Sequence, residues 1–214
     1  KNGASAVVIS ALLKAFPEAA KSALNSGSLP LHLCLEGQAS LEIIEMIYQA
    51  HPDALVAKDN SGKTALRCAV ENKASMAVVT FLLKENAEAV KVADNDGWLP
   101  LHSAVKNGAS AVVISALLKA FPDAAKRALN DGSLPVHLCV TAKASQEVVA
   151  MVLNAFPEAV RAQTNDGDTP LNLASQIYKG TTLPMSEMLL DAYPEAATLA
   201  NSGGWLPLHS VIYW

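Results

Sequence analysis

The sequence predicts an all-α solenoid of stacked helix-turn-helix units, and three observations carry that expectation. Residues 1–35 reappear as residues 106–140 with five differences, a displacement of 105 positions. Inside that displacement glycines recur at Gly27, Gly62, Gly97, Gly132, Gly167 and Gly204, spaced by 35, 35, 35, 35 and 37 residues. The chain of 214 residues is 51% hydrophobic and only 17% charged, which excludes a solvated tail or linker. A period in this range marks units that cannot bury their apolar faces alone and do so by stacking on neighbours.

Each unit opens at its glycine, where pairs such as Asn95-Asp96 and Asn130-Asp131 read as turn formers. Three residues later stand Pro30, Pro100, Pro135, Pro170 and Pro207, with Ala65 as the one substitute. Proline suits the first helical position, where its missing N–H costs nothing, so a helix starts there six times. A tight loop follows around the positions of Gly37 and Gly108. Ser5, Ser40, Ser75, Ser110, Ser145 and Thr182 then precede the most apolar run of each unit, and Ser and Thr are N-cap residues. The second helix they open runs, for instance, over Ala111–Ala120, with Val112, Val113, Ala116, Leu117 and Phe121 as its expected buried stripe. Pro17, Pro52, Pro122, Pro157 and Pro194 stop it, with Asn86-Ala87 in their place in the third unit. Strings such as Pro17-Glu18-Ala19-Ala20 could open one further short turn. An irregular return completes the unit.

This register divides the chain into a half unit at 1–24, whole units at 25–59, 60–94, 95–129, 130–164 and 165–201, and a half unit at 202–214. One array of residues 1–214 is therefore expected. Terminal repeats normally present a polar capping face, whereas Val7, Val8, Leu12 and Leu13 at one end and Ile212-Tyr213-Trp214 at the other are apolar. The reading is a fragment of a longer array.

The strings Asp94-Asn95-Asp96-Gly97-Trp98-Leu99-Pro100-Leu101-His102-Ser103-Ala104 and Asp166-Gly167-Asp168-Thr169-Pro170-Leu171 resemble the ankyrin-repeat motif. The likeness runs in register along essentially the whole chain, in six copies, and makes the expected fold an ankyrin-repeat solenoid. Three departures stand out. Leu29, Leu99, Leu134 and Leu206 replace the usual cap Thr, kept only at Thr64 and Thr169; Leu cannot cap, so another group must satisfy those amides, with Ser28 and Ser133 as candidates. Units are two residues longer than usual, with Phe121-Pro122-Asp123-Ala124-Ala125 in place of the usual return. The 37-residue unit carries Gln176–Thr181 as a longer inter-helix loop.

Chemistry is sought with little return. His32, His102, His137 and His209 share one motif position, but stacked helices lie about 8–10 Å apart, too far for a shared zinc. The resemblance implies that each imidazole bonds backbone near its own turn, and His51 reads as packing. Cys34 and Cys139 read as small core groups, Cys68 as more accessible, and the odd count favours a reducing compartment, hence the cytoplasm. No phosphate loop, nucleophile elbow, metal helix or carboxylate pair tied to a pocket is present. No catalytic, cofactor or metal residue is therefore assigned, and the protein is read as no enzyme. Lys and Arg number 16 against 20 acids and lie scattered, which disfavours nucleic acid. No apolar run reaches the roughly 20 residues of a bilayer span.

What remains is a protein partner. In a solenoid the structural residues repeat, so positions varying at fixed register can carry specificity. The residue after the turn glycine reads Ser28, Lys63, Trp98, Ser133, Asp168 and Trp205. The resemblance places it on the concave face beside Glu71 and Asn72, Lys106 and Asn107, Thr141 and Ala142, and Gln176 and Ile177. Trp98 reads as the anchor of a partner contact or as packing across the next turn, and Trp205 ranks below it. The expected function is a non-catalytic protein-interaction scaffold. The alternative is a structural spacer or regulatory module of a larger enzyme, channel or assembly, and a helical RNA reader stands third.

Overall fold

In a computed structural model, residues 6–176 and 183–213 are described. The expected caps Ser5 and Thr182, the loop beyond Gln176, the contact candidate Ile177 and Trp214 lie outside them. The described residues form twelve α-helices and no strand. The chain divides into two compact units, residues 1–116 and 117–214.

In the first unit, α1 (Ala6–Ala15) precedes α2 (Pro30–Glu36), α3 (Leu41–Ala50), α4 (Ala65–Glu71), α5 (Met76–Glu85) and α6 (Pro100–Lys106), and the division falls within α7 (Ala111–Ala120). The second unit continues with α8 (Pro135–Thr141), α9 (Gln146–Ala155), α10 (Pro170–Gln176), α11 (Leu183–Ala192) and α12 (Pro207–Tyr213). Short and long helices alternate at seven and ten residues. Helices of that length are marginal alone and depend on packing.

Packing follows the repeat. In the first unit the short helices stack in order, α2 on α4 and α4 on α6, and the long ones likewise, α1 on α3 and α3 on α5. In the second, α8 stacks on α10 and α10 on α12, with α9 on α11. A short helix between two others is buried nearly all round: every residue of α4 from Ala65 to Val70 is inaccessible. The short turn expected after each long helix is a 3₁₀ turn, at Pro17–Lys21, Pro52–Leu55, Ala87–Lys91, Pro122–Lys126, Pro157–Arg161 and Pro194–Thr198.

Several local expectations need correcting. Val112 is exposed, and the buried stripe of α7 is Val113, Ile114, Leu117 and Leu118; the helix turns its core face slightly past the predicted phase. Ser75 and Ser145 cap their helices by accepting from the Val78 and Val148 amides, each at 3.4 Å, whereas Ser40 makes no such bond. The tight loops fall around Gly37 and Gly108 as expected, with Gln38, Lys73, Gly108 and Lys143 as their left-handed residues, at φ of 55°, 57°, 68° and 53°. Cys68 is buried, and among the three thiols Cys34 is the more accessible.

Candidate functional site

The missing threonine caps are replaced by histidine. His32, His102 and His137 accept the amide protons of Leu29, Leu99 and Leu134 on Nδ1 at 3.1, 3.0 and 3.0 Å. A ring that accepts on Nδ1 carries its proton on Nε2 when neutral. Accordingly, Nε2 of His32 donates to the Ala57 carbonyl at 3.3 Å, and that of His137 to Ala162 at 3.2 Å, each 25 residues on. One imidazole thus fastens its own turn and the next return together. The serines do not fill this role: the Ser28 hydroxyl accepts from Ser26, the Ser28 amide donates to the Ser26 hydroxyl, and the Ser133 amide donates to Asp131.

Two units place other residues at the histidine position. Asn172 accepts from the Thr169 amide at 2.9 Å and donates to the Leu199 and Trp205 carbonyls at 3.1 and 3.3 Å, reproducing the imidazole's double bond. Arg67 does something different. Buried at the same register, it pairs through Nη1 with Glu71 at 3.1 Å and through Nη2 with Asp94 at 3.2 Å, while its Nε has no hydrogen-bond partner. Sequence reasoning passed over Arg67; the break in the histidine series at that position was the available signal.

At four of the six positions the residue after the turn glycine is held by its own amide, which donates to a side chain four residues earlier, while the Ser28 and Ser133 amides donate two residues back. Lys63 and Trp98 donate to Asp59 and Asp94 at 2.8 Å, Asp168 to Thr164 at 3.2 Å, and Trp205 to Asn201 at 3.0 Å. In three units the side chain also meets the residue eight positions on, at the end of the short helix. Lys63 bonds Glu71 at 2.8 Å, Asp168 accepts from Gln176 at 2.9 Å, and the Trp205 ring meets Tyr213 edge to face at 5.0 Å. Burial pulls the Lys63 ammonium down, but the bond to Glu71 and its charge outweigh that and raise it overall.

The predicted contact residues therefore fall into distinct environments. Lys63, Glu71 and Trp98 are half-buried and Lys106 is exposed, all on α4, α6 and their turns in the first unit. Asp94 links them, since it accepts from the Trp98 amide and pairs with Arg67, which in turn pairs with Glu71. The Trp98 ring leans edge-on against His102 at 6.2 Å. Asn72 and Asn107 close their helices, each donating to the carbonyl four residues back at 2.9 Å. Ser133 and Asp168 are buried, Asp168 also accepting from Asn201 at 2.9 Å, and Trp205 is exposed. Among the described residues no group of His, Cys, Asp or Glu could hold a metal ion. No helix among them is long and apolar enough to cross a membrane.

Capped helix pairs stacked in register within each compact unit define a helical-repeat fold of the ankyrin kind. Residues 31–128 match the family model for ankyrin repeats, in three copies, and are ankyrin repeats. Among solved structures, one chain of the complex between the Bd0816 predatory endopeptidase from Bdellovibrio bacteriovorus and immunity protein Bd3460 is similar at 20% identity and a TM-score of 0.73, covering 90% of this chain and 93% of that one. The ankyrin repeat domain of Bcl-3, a member of the IkappaB family, is similar at 22% identity and a TM-score of 0.71, over 96% of this chain and 86% of that one. No curated protein sequence matches the chain. Ankyrin repeats are generally protein-interaction modules, and the fold is typically non-catalytic.

Proposed function

We propose that this protein is a non-catalytic scaffold that binds a protein partner through the turn tips and short-helix ends of its repeats. The observation that carries the reading is the row of paired positions: the framework that holds them recurs from unit to unit, while their chemistry changes. The row passes from the ion pair Lys63–Glu71 to the hydrogen bond Asp168–Gln176 and the aromatic pair Trp205–Tyr213. A surface that varies on an invariant frame is where a repeat protein can store specificity. The half-buried Trp98 with the exposed Lys106 is the strongest candidate contact, because an anchored aromatic loses little freedom on binding. The two neighbours support it by analogy, as one belongs to a complex that contains an immunity protein and the other is a member of the IkappaB family.

The test is to recover the partner by affinity capture from the native source and titrate it against variants. Trp98→Ala and Lys106→Glu should each weaken binding at least tenfold, about 1.4 kcal/mol, with helix content and melting temperature unchanged. An equal fall in thermal stability for Trp98→Ala would assign the ring to packing against His102.

A further inference from the structure

The histidine series breaks at Arg67, and the guanidinium does nothing for the start of its own helix. Thr64 caps α4, its hydroxyl accepting the Arg67 amide at 3.4 Å whatever side chain position 67 carries. The sister positions hold His32, His102, His137 and Asn172, none of them a permanent cation. The Arg67 side chain is nonetheless buried, only 7% exposed, and its Nε has no hydrogen-bond partner. Taking such a cation out of water is costly, and ion pairs offset that cost only in good geometry. A residue that breaks the rule of its repeat without serving the local fold points to a use elsewhere in the molecule.

The groups that Arg67 touches identify the use. Its Nη1 lies 3.1 Å from Glu71, which also takes the Lys63 ammonium at 2.8 Å. Its Nη2 lies 3.2 Å from Oδ2 of Asp94, a carboxylate that is itself only 4% exposed. The other oxygen of Asp94, Oδ1, accepts the amides of Asp96 and Trp98 at 3.1 and 2.8 Å. One planar guanidinium therefore fixes both the carboxylate that holds Lys63 in one repeat and the carboxylate that holds the Trp98 turn of the next. The equivalent turns of Asp59 and Asn201 hold the same two amides, at 2.8 to 3.0 Å, with no guanidinium. We infer that Arg67 is the positioning residue of the recognition surface: it locks the Lys63–Glu71 pair to the Trp98 turn, so that contact side chains of two repeats meet a partner as one rigid surface. The inference rests on the scaffold reading above. A surface already held in its bound arrangement loses less freedom when the partner arrives, and that is what the buried cation contributes.

The test is the paired variant Arg67→His with Asp94→Asn. It gives the unit the side chains that His102 and Asn201 carry at the same positions and leaves no buried charge without a partner, so it should fold and melt as the parent does. Nitrogen-15 relaxation, read with no partner present, should show the Trp98 amide and indole as ordered as the α6 backbone in the parent and mobile in the variant, with Trp205 alike in both. The partner recovered by affinity capture should bind the variant at least tenfold more weakly. Lys63→Met and Trp98→Ala, non-additive for binding in the parent because one network holds both residues, should become additive in the variant. A Trp98 that stays as ordered as in the parent overturns the inference. So does a variant that melts far below the parent yet binds as tightly, since Arg67 would then belong to the framework. Capture that returns no partner counts against the scaffold reading instead, while the relaxation measurement still decides whether Arg67 holds the turn.

Discussion

At the residue scale, the units of His32, His137 and Asn172 are each held by one side chain with an acceptor and a donor at fixed separation. His137 supplies both, and its removal leaves the Leu134 amide and the Ala162 carbonyl unpaired in a buried site. His137→Ala should cost roughly 3 kcal/mol in urea unfolding. His137→Asn should recover about half of that, since Asn172 performs the same double bond in its own unit. Desolvation holds the His137 pKa below its ordinary value, against weaker upward pulls from the Ala162 and Asp168 backbone. The unfolded chain thus takes up a proton that the folded one refuses. Stability should be full above about pH 6.5 and decline as pH falls below it, and His137→Asn should lessen that decline. That the histidines bond backbone near their own turns was implied by the ankyrin resemblance, whereas their filling of the caps was not, since Ser28 and Ser133 stood as the candidates. Arg67 was not, because its role depends on Asp94, 27 positions away, and pairs across that distance leave no local pattern.

At the element scale, turns and helix starts were legible because proline and glycine act through their own backbone. Gly62 shows the reason, at φ 80°, with the Asn95 backbone nitrogen 2.7 Å from where a Cβ would lie. That closeness lets Asn95 donate to the Asn60 carbonyl at 2.9 Å and its amide to Ser61 at 3.0 Å, joining successive turns. Gly62→Ala should therefore destabilise by about 2 kcal/mol, measured by thermal melting. The inter-helix loops were less legible. Gln38, Lys73 and Lys143 adopt left-handed backbone without glycine, so composition alone did not mark those positions. The core face of α7 was misphased for a related reason: an almost wholly apolar helix such as AVVISALLKA offers no polar face from which to set its rotation.

At the scale of the whole molecule, framework and recognition occupy different positions of the same repeat. The period, the helix count and, within each compact unit, the stacking order followed from self-comparison, since a repeat can bury its apolar faces only against its neighbours. The row was legible as positions and less so as environments: Ser133 and Asp168 are buried, Asn72 and Asn107 close helices, and Trp98 with Lys106 offers the accessible combination. The most direct measurement replaces Lys106 by a photo-crosslinking residue and, separately, Lys84, whose side chain is 80% exposed on a long helix, then irradiates each in an extract of the native source. Recognition through the row predicts a protein adduct from position 106 that Trp98→Ala abolishes, and none of that mass from position 84. The same adduct from both positions, or from position 84 alone, would contradict it.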